Sequence, residues 1–426
     1  VAVVISSESG KILGSGHCPP GTVQAHNAQG HAQVRYTLPQ LPLNKGRYRV
    51  GVYLLCAQGR YVYEWMDPIA HIELEHSGQH QGWRGTGRRC PMADRSTPPT
   101  LLSDWQLHTA HRSQDAQLRT LFAQVFGHTM GQQEWDWKYR GTDLRGSLLT
   151  KASTGDAIAF FGGMPRTFSH QGRTIQTVQN GDVMVRMQER GVFSRKGALF
   201  QVAQHFFSQH LGAGAPYAFA FGFPNTRHFQ LGLKLGLYRQ AGCLQQLRWA
   251  PQPAPWQRLW AVQTLAADAP LTALDALWPQ MQASWPQHFL PLRSASHWAW
   301  RYQQRPGVDY HLLLVRQRLT GKPLAALALR LHPEHCDWLD YLGPRHHLPH
   351  AIAAARAFAH QHQRPVQALV SDAVASDFCA AQPQGLHSSP SDISIPTNAI
   401  DAAGPTASVA PWQGHLWLMG GDSDFM

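Results

Sequence analysis

The sequence predicts a multidomain protein, a truncated all-β sandwich followed by two α/β units. Three observations carry this. Residues 1 to about 95 hold short β-rich runs separated by turn residues. From residue 104 onward, runs with helical spacing alternate with strand-like runs. That second region also repeats itself: Trp137-Lys138-Tyr139 returns 163 residues later as Trp300-Arg301-Tyr302.

At 426 residues the chain can hold two to four domains, each burying its own core. In residues 1–95 the strand-like runs are VAVVIS, QVRYTL, RYRVGVYLL, YVYEW and AHIELE, divided by turns such as Glu8-Ser9-Gly10, Asn44-Lys45-Gly46 and Ala57-Gln58-Gly59. Arg47, Arg49 and Gly51 alternate with Tyr48, Val50 and Val52, the period of a strand with one buried face. So few strands make a thin sandwich, and the chain opens on Val1 without an initiator Met, so it reads as a fragment lacking N-terminal strands. STPPTLLS, residues 96–103, reads as a linker.

Residues 104–250 form the first α/β unit. In DAQLRTLFAQVFG, Leu118, Leu121, Phe122, Val125 and Phe126 share one helical face. LLTKA, AIAFFGGMPRTF and RTIQTVQNGDVMV read as strands. RKGALFQVAQHFFSQHLG is a helix ended by Gly212, YAFAFGFP is a buried strand, and Asn225 is placed to cap TRHFQLGLKLG. Residues 251–426, after the proline-rich PQPAPW, form the second unit. LLVRQRLTGKPLAALALRL mirrors LLTKASTGDAIAFFGGMPR, and CDWLDYLGPRHHLPHAIAAARAFAHQ mirrors GDVMV through ALFQVAQHFF. Residues 383–410 predict a long loop, followed by a last strand in HLWLMGG and by Asp422-Ser423-Asp424.

The net charge of +11, from 37 basic and 26 acidic residues, is spread along the chain without a nucleic-acid module. It suits an anionic ligand such as a nucleotide-type coenzyme. No run of about 18 apolar residues predicts a membrane span. The expected location is the cytoplasm. The six cysteines have no zinc spacing and read as reduced thiols. His346, His347 and His350 cluster without other ligand spacing, so surface histidines and no metal are expected.

One stretch concentrates chemistry. Val183 and Val185 lead into a basic, glycine-containing corner of Gln188, Arg190, Gly191, Arg195, Lys196 and Gly197, and a helix follows. A pyrophosphate needs backbone N–H groups in a concave turn, a helix N-terminus and cationic side chains. The stretch offers all three, although a plain turn carrying arginines has the same composition.

Two resemblances sharpen this. LPQLPLNKGRYRVGVYLLCAQGRYVYEWMDPIAHIELE, with VAVVISSESGKILGSG before it, resembles the carbohydrate-binding domain at the C-terminus of ATPase subunits in O-antigen ABC exporters. The likeness implies a glycan or amino-sugar ligand on an aromatic platform of Tyr61, Tyr63 and Trp65. It also implies partners among exporter ATPases or glycan-assembly enzymes, and through them a place at the inner membrane. LRTLFAQVFG, EWDWKYR, DVMV through ERG, and FGFPNTRHFQLGLKLGLY resemble the GNAT acyltransferases. That likeness implies two GNAT-like units, each a mixed, mostly antiparallel sheet flanked by helices. It further implies acetyl-CoA or another acyl-CoA as cosubstrate, bound at the corner above and at Asn225.

The family's loop, Gln/Arg-x-x-Gly-x-Gly/Ala, matches from Gln188 through Gly191, and Phe193 then replaces the last small residue. In the family an acceptor amine attacks the thioester, a base takes a proton, and a tyrosine often protonates the leaving thiolate. Asp182 is the first candidate base, with Glu134 and His205 behind it; Arg227 and Asp424 are placed at the cleft mouth. The tyrosine position falls on Gly232, and Tyr238 is expected to point elsewhere. In the second unit Pro344 and Pro349 lack N–H donors at the equivalent corner, which predicts a degenerate copy. Two readings follow: an N-acyltransferase of surface-polysaccharide assembly, or a non-catalytic glycan-binding protein with structural GNAT-like units.

Overall fold

The structure, a computed structural model, describes residues 2–7, 12–17, 46–55, 62–74, 104–189, 197–253, 259–406 and 410–424. The chain divides into two compact units, Val1–Pro98 and Pro99–Met426. The QVRYTL strand, the 96–103 linker, Tyr61, Arg190, Gly191, Phe193, Arg195 and Lys196 lie outside the described residues, as do the side chains of Tyr63 and Trp65.

In the first unit, β1 (Ala2–Ser7), β2 (Ile12–His17), β3 (Gly46–Leu55) and β4 (Val62–Leu74) form one antiparallel sheet in the order β2-β1-β3-β4. The two runs YVYEW and AHIELE are a single strand, β4. Its register against β3 jumps between Val50↔Ala70 and Val52↔Met66, around Pro68, which has no N–H to give the ladder. Ile5 and Tyr48 are buried and Arg47 is exposed, as the alternation requires, but Arg49 and Val50 are both half-buried. A second sheet that would complete a sandwich is not among the described residues.

The second unit is built on one long sheet. Its first half contributes β5 (Trp105–His111), α1 (Asp115–Phe126), α2 (Gln132–Lys138), β6 (Leu144–Lys151), β7 (Ala157–His170), β8 (Arg173–Val185), α3 (Ala198–His210), β9 (Ala220–Gly222), α4 (Thr226–Leu235) and β10 (Tyr238–Trp249). The second half contributes β11 (Trp260–Leu265), α5 (Trp278–Ser284), β12 (Leu290–Pro291), α6 (Ala295–Trp298), β13 (His311–Gln317), β14 (Pro323–Leu331), β15 (Cys336–Leu342), α7 (Leu348–Gln361), β16 (Val366–Ser371), α8 (Asp372–Ala381) and β17 (Leu386–Asn398).

Successive strand residues face opposite sides of this sheet. Leu148, Phe160 and Met184 pack with Leu118, Leu121, Phe122 and Trp135 of α1 and α2. Their neighbours Leu149 and Phe161 pack with Val202, Phe206 and Phe207 of α3 and with Phe229 of α4 on the other face. Each such side chain contributes about 1.5–3 kcal/mol on full burial. The α1 face read from the periodicity is therefore real, and Gly127 ends that helix in a left-handed conformation at φ 78°.

The strand order is β11-β13-β14-β15-β16-β10-β17-β9-β8-β7-β6-β5. The halves exchange their final strands. β10 closes the first half in sequence but pairs with β16 of the second, while β17 closes the second and pairs with β9 of the first. β10 and β17 pair with each other at the centre. The repeated tryptophans meet across the same junction: the Trp137 indole donates to the Trp300 carbonyl at 2.8 Å and the Trp300 indole to the Trp137 carbonyl at 2.9 Å. Their rings stack at 5.3 Å.

Two expectations are corrected. The stretch 383–410 holds the thirteen-residue strand β17 and, after it, the short antiparallel pair Ile400–Asp401 and Gly404–Pro405, where a long loop was expected. Its prolines misled the pattern; Pro390 and Pro396 both sit where the register against β10 breaks, next to Gln245 and Gln240, so their missing N–H groups fall at the interruptions. HLWLMGG makes isolated bridges, Phe289↔Leu416 and Val370↔Met419, then a 3-10 turn at Gly420–Asp422, rather than a strand. No helix among the described residues is long and apolar enough to cross a membrane.

Candidate active site

β8 and β9 run parallel through Val178↔Ala220, Gln179↔Phe221 and Asn180↔Gly222, and there the ladder between them ends. Beyond that point β8 carries a bulge. Phe160 of β7 faces Met184 and Gly162 faces Gly181, so β8 fits one residue more than β7 in the interval. Asp182 sits in it with φ 49°, a left-handed conformation that costs about 1–3 kcal/mol for a residue with a side chain. The strands part, and a cavity of about 450 Å³ opens between them. Asn180 to Val183 form one wall and Ala220 to Asn225 the other; Phe122, Phe126 and Phe207 make it apolar, and Lys138 and Asp424 are also exposed to it.

The polar centre of this cavity is a buried lysine between two carboxylates. Lys138 Nζ lies 2.6 Å from Asp182 Oδ1 and 2.8 Å from Asp424 Oδ2. Tyr139 donates its hydroxyl to Asp182 Oδ2 at 2.8 Å. Burial pushes the Lys138 ammonium down, but Asp182 and Asp424 more than offset it, so the lysine stays protonated. Burial pushes the Asp424 carboxyl up, and Lys138 overrides that, holding it below the usual carboxylate range. The Tyr139 phenol is pushed well up, first by burial and then by Asp182. Two carboxylates against one ammonium give the trio a formal charge of −1, and Glu134 and Arg305 of the same lining offset each other formally. Gly181 permits the arrangement: a Cβ there would come within 2.9 Å of Asp424 Oδ2.

The missing tyrosine of α4 also has a structural explanation. A Cβ at Gly232 would lie 1.9 Å from Cδ2 of Tyr238, so the Tyr238 ring lies directly across the glycine. Contrary to the sequence expectation, Tyr238 is exposed to the cavity together with His228. The Tyr238 hydroxyl and His228 Nε2 are 2.8 Å apart. Burial lowers the His228 imidazole to about 4, so it is neutral, and burial also pushes the Tyr238 phenol up.

The remaining sequence candidates divide. Glu134, Val183, Asn225 and Asp424 are brought to the cavity with Asp182. Asn225 also caps α4, its side chain accepting from the His228 N–H at 2.9 Å. His205 is not at the cavity; it lies on the face of α3 that packs on the sheet, 2.7 Å from the Ser147 hydroxyl of β6. Arg227 is exposed on the first turn of α4 and does not line the cavity. Val185 is half-buried beside the α3 cluster, Gln188 is exposed in a 3-10 turn, and Gly197 is the extended N-cap residue of α3. Sequence reasoning missed Lys138. The signal was a cation held between two aromatics in both copies of the repeat, Lys138 and Arg301.

The second half repeats the framework and closes it. β15 and β16 run parallel through Trp338↔Ala368, and Asp340 follows two residues later, as Asp182 follows Asn180. β15 is bulged there too, since Ala328 faces Asp340 and Leu329 faces Trp338. Tyr302 donates to Asp340 Oδ2 at 2.9 Å, matching Tyr139 and Asp182. Yet the space is taken by the chain's last segment: Ser371 donates its N–H to the Leu418 carbonyl at 2.8 Å, and Val370 bridges Met419. Arg293, fully buried, binds Asp340 at 2.6 Å and Asp422 at 2.7 Å beneath the Trp417 ring. The same tail thus delivers Asp424 to the first half and Asp422 to the second.

No protein-family profile and no curated protein sequence matches the chain. Among solved structures, a conserved protein from Enterococcus faecalis, described as a probable N-acyltransferase, is similar with a TM-score of 0.53 at 10% identity. The match covers 69% of this chain and 71% of that one. A GCN5-related N-acetyltransferase from Anabaena variabilis has a TM-score of 0.49 at 14% identity, covering 69% and 72%. Saccharomyces cerevisiae N-myristoyltransferase with bound myristoyl-CoA has 0.44 at 11% identity, covering 75% and 90%. The first of these shows a shared fold, a mixed α/β sheet with flanking helices.

Proposed function

We propose that the second unit is an acyl-CoA-dependent N-acyltransferase whose chemistry takes place in the first-half cleft. The observation that carries this is the parting of β8 and β9 over a buried Lys138–Asp182–Asp424 cluster. The fit to an acyl-CoA thioester is steric and chemical: an apolar slot of about 450 Å³ with unladdered strand edges on both walls. The pantetheine arm would lie between the walls. The phosphates would sit at Gln188, Arg190, Gly191, Arg195, Lys196 and Gly197, before the N-terminus of α3.

An amine enters as an ammonium, drawn by the negative cluster. Asp182 has both oxygens engaged by Lys138 and Tyr139 and fixes the lysine; Asp424 is the more open of the two, and its Oδ1 accepts a long 3.5 Å contact from Gln179. Asp424 therefore takes the proton. Lys138 lowers the affinity of Asp424 for that proton, so the transfer relies on the loss of hydration that disfavours the ammonium in the closed cleft. The freed nitrogen forms the C–N bond at the thioester carbonyl as the C–S bond breaks, and the second proton it then sheds passes through solvent to replace the one Tyr238 gives up. Tyr238 protonates the departing thiolate: with the Nε2–H tautomer, His228 donates to the phenol oxygen and leaves its proton directed to the cleft.

The acceptor we favour is the amine of an amino-sugar in bacterial surface-polysaccharide assembly, with an acetyl donor. This rests on the resemblance of the first unit to exporter carbohydrate-binding domains, which also suggests exporter ATPases or assembly enzymes as partners in the cytoplasm. The second reading, a non-catalytic glycan-binding protein, is favoured by the filled second half. Free-thiol release from acetyl-CoA with 2-amino-hexoses as acceptors separates the two. Release that needs an amine supports the transferase, and Arg190→Ala/Arg195→Ala should raise KM for acetyl-CoA. No release, with glycan binding retained, would support the second reading.

A further inference from the structure

The hairpin joining β14 to β15 brings together a set of side chains that the acyl-transfer chemistry does not use. His332 follows β14, His335 precedes β15, and Asp337 is its second residue. The His332 N–H donates to the His335 carbonyl at 2.8 Å, closing a tight turn through Pro333 and Glu334 that stacks the two imidazoles at 4.8 Å. Both rings turn Nε2 toward one carboxylate: His332 Nε2 is 2.9 Å from Asp337 Oδ2 and His335 Nε2 is 3.2 Å from Oδ1. All three ligand atoms lie within 4.8 Å of one another.

Hydrogen bonding does not fully account for this approach. His332 Nε2 and Asp337 Oδ1 are buried without a hydrogen bond of acceptable geometry, although each has a polar atom close by. Asp337 itself is 4% exposed, so its carboxylate is aimed into the cluster rather than into water. Around a tetrahedral ion with bonds of about 2.0–2.1 Å, ligand atoms are separated by about 3.3 Å; each imidazole stands at close to that distance from one oxygen of Asp337, and the full set, within 4.8 Å, needs the rings to draw together slightly around an ion. The opposite-strand neighbour of Asp337 is Arg330, whose charge a bound dication would have to tolerate.

We propose that His332, His335 and Asp337 form a binding site for a zinc-type divalent cation, with two imidazole nitrogens, one carboxylate oxygen and a water in the fourth position. Borderline ions with nitrogen-rich preference fit this donor set better than magnesium or calcium, which demand oxygen. The ion would clamp the hairpin that leads into Asp340, and none of its three ligands lines the cavity at Asp182.

The test is calorimetric titration of the full chain with zinc chloride after chelator treatment, for the parent, His335→Ala, Asp337→Asn and His347→Ala. Losing even an outer partner of a metal ligand weakens affinity about 10–100-fold, so loss of a ligand should do at least that. The expected result is one saturable zinc equivalent, weakened at least tenfold in His335→Ala and Asp337→Asn and unchanged in His347→Ala. Cobalt should give the intense visible bands of a tetrahedral site in the parent and lose them in His335→Ala. His335 stands in a half-exposed turn, and thermal melts of the metal-free variants check that they fold. No saturable uptake, or uptake unchanged in both site variants, would overturn the proposal, leaving an ion-paired His–Asp–His cluster. Loss in His347→Ala alone would overturn it in favour of the His346, His347 and His350 group.

Discussion

The two halves of the second unit share a scaffold and differ in what occupies its centre. Each has a bulged strand carrying an aspartate two residues beyond the end of a parallel ladder, and each has a tyrosine bound to that aspartate. In the first half the balancing cation is Lys138 and the adjoining space is open. In the second it is Arg293, and residues 416–419 lie along the strand end where the opening would be. The lesson is that the aspartate–tyrosine pair recurs in both halves, while its cation comes from a different position in each, Lys138 in one and Arg293 in the other, and the tail fills the space beside only the second. A buried ion pair is thus not by itself a mark of a ligand site.

The strongest way to break this comparison is to neutralise the tail carboxylates separately. Asp424→Asn should lower turnover about 10²–10⁴-fold, the usual worth of a positioned proton acceptor, while Asp422→Asn should leave the kcat of the folded protein nearly unchanged. Equal losses in steady-state assays would mean that the halves are not functionally distinct. Next in size, Lys138→Met and Arg293→Met each strand buried carboxylates. Chemical denaturation should show about 3–5 kcal/mol lost in either case, because both pairs are structural.

A smaller effect is expected for Tyr238→Phe, about 10–100-fold in kcat with little change in acyl-CoA affinity, since one hydrogen bond to a developing anion is removed. A poorer thiolate leaving group should suffer more from the substitution than a better one. The smallest effect concerns pH. Burial holds His228 in the first half and His347 in the second at about 4, below the ordinary 6.5. Between those values the unfolded chain binds protons that the folded one refuses, so the contribution is complete above about 6.5 and lost as pH falls toward 4. Thermal melts across that range should show a declining midpoint, with a shallower slope in His228→Asn.

Much of the scaffold was legible because it obeys a period. Leu118, Leu121 and Phe122 announced α1, and the echo of Trp137-Lys138-Tyr139 in Trp300-Arg301-Tyr302 announced the duplication. What that echo could not convey was its purpose, reciprocal indole–carbonyl bonds across the junction of the halves. β17 was illegible because its ladder bonds come from the backbone, while its prolines and serines carry a loop-like composition. Of the cavity lining, Asp182, expected as the base, and Asp424, expected at the cleft mouth, were named from position. Lys138 was overlooked because a buried cation is read from its partners, which lie 44 residues away at Asp182 and in the tail. Tyr238 was misplaced because helical spacing alone says nothing of the following strand; the signal was Gly232, a glycine inside an amphipathic helix that needs a neighbour to explain it.

The most direct test of the central claim, that the first-half cleft alone receives the coenzyme, is a count of labelled acetyl-CoA bound per chain by equilibrium dialysis. The account expects one equivalent, lost when Val183→Trp fills the cavity at β8. Two equivalents, none, or one that survives Val183→Trp would contradict it.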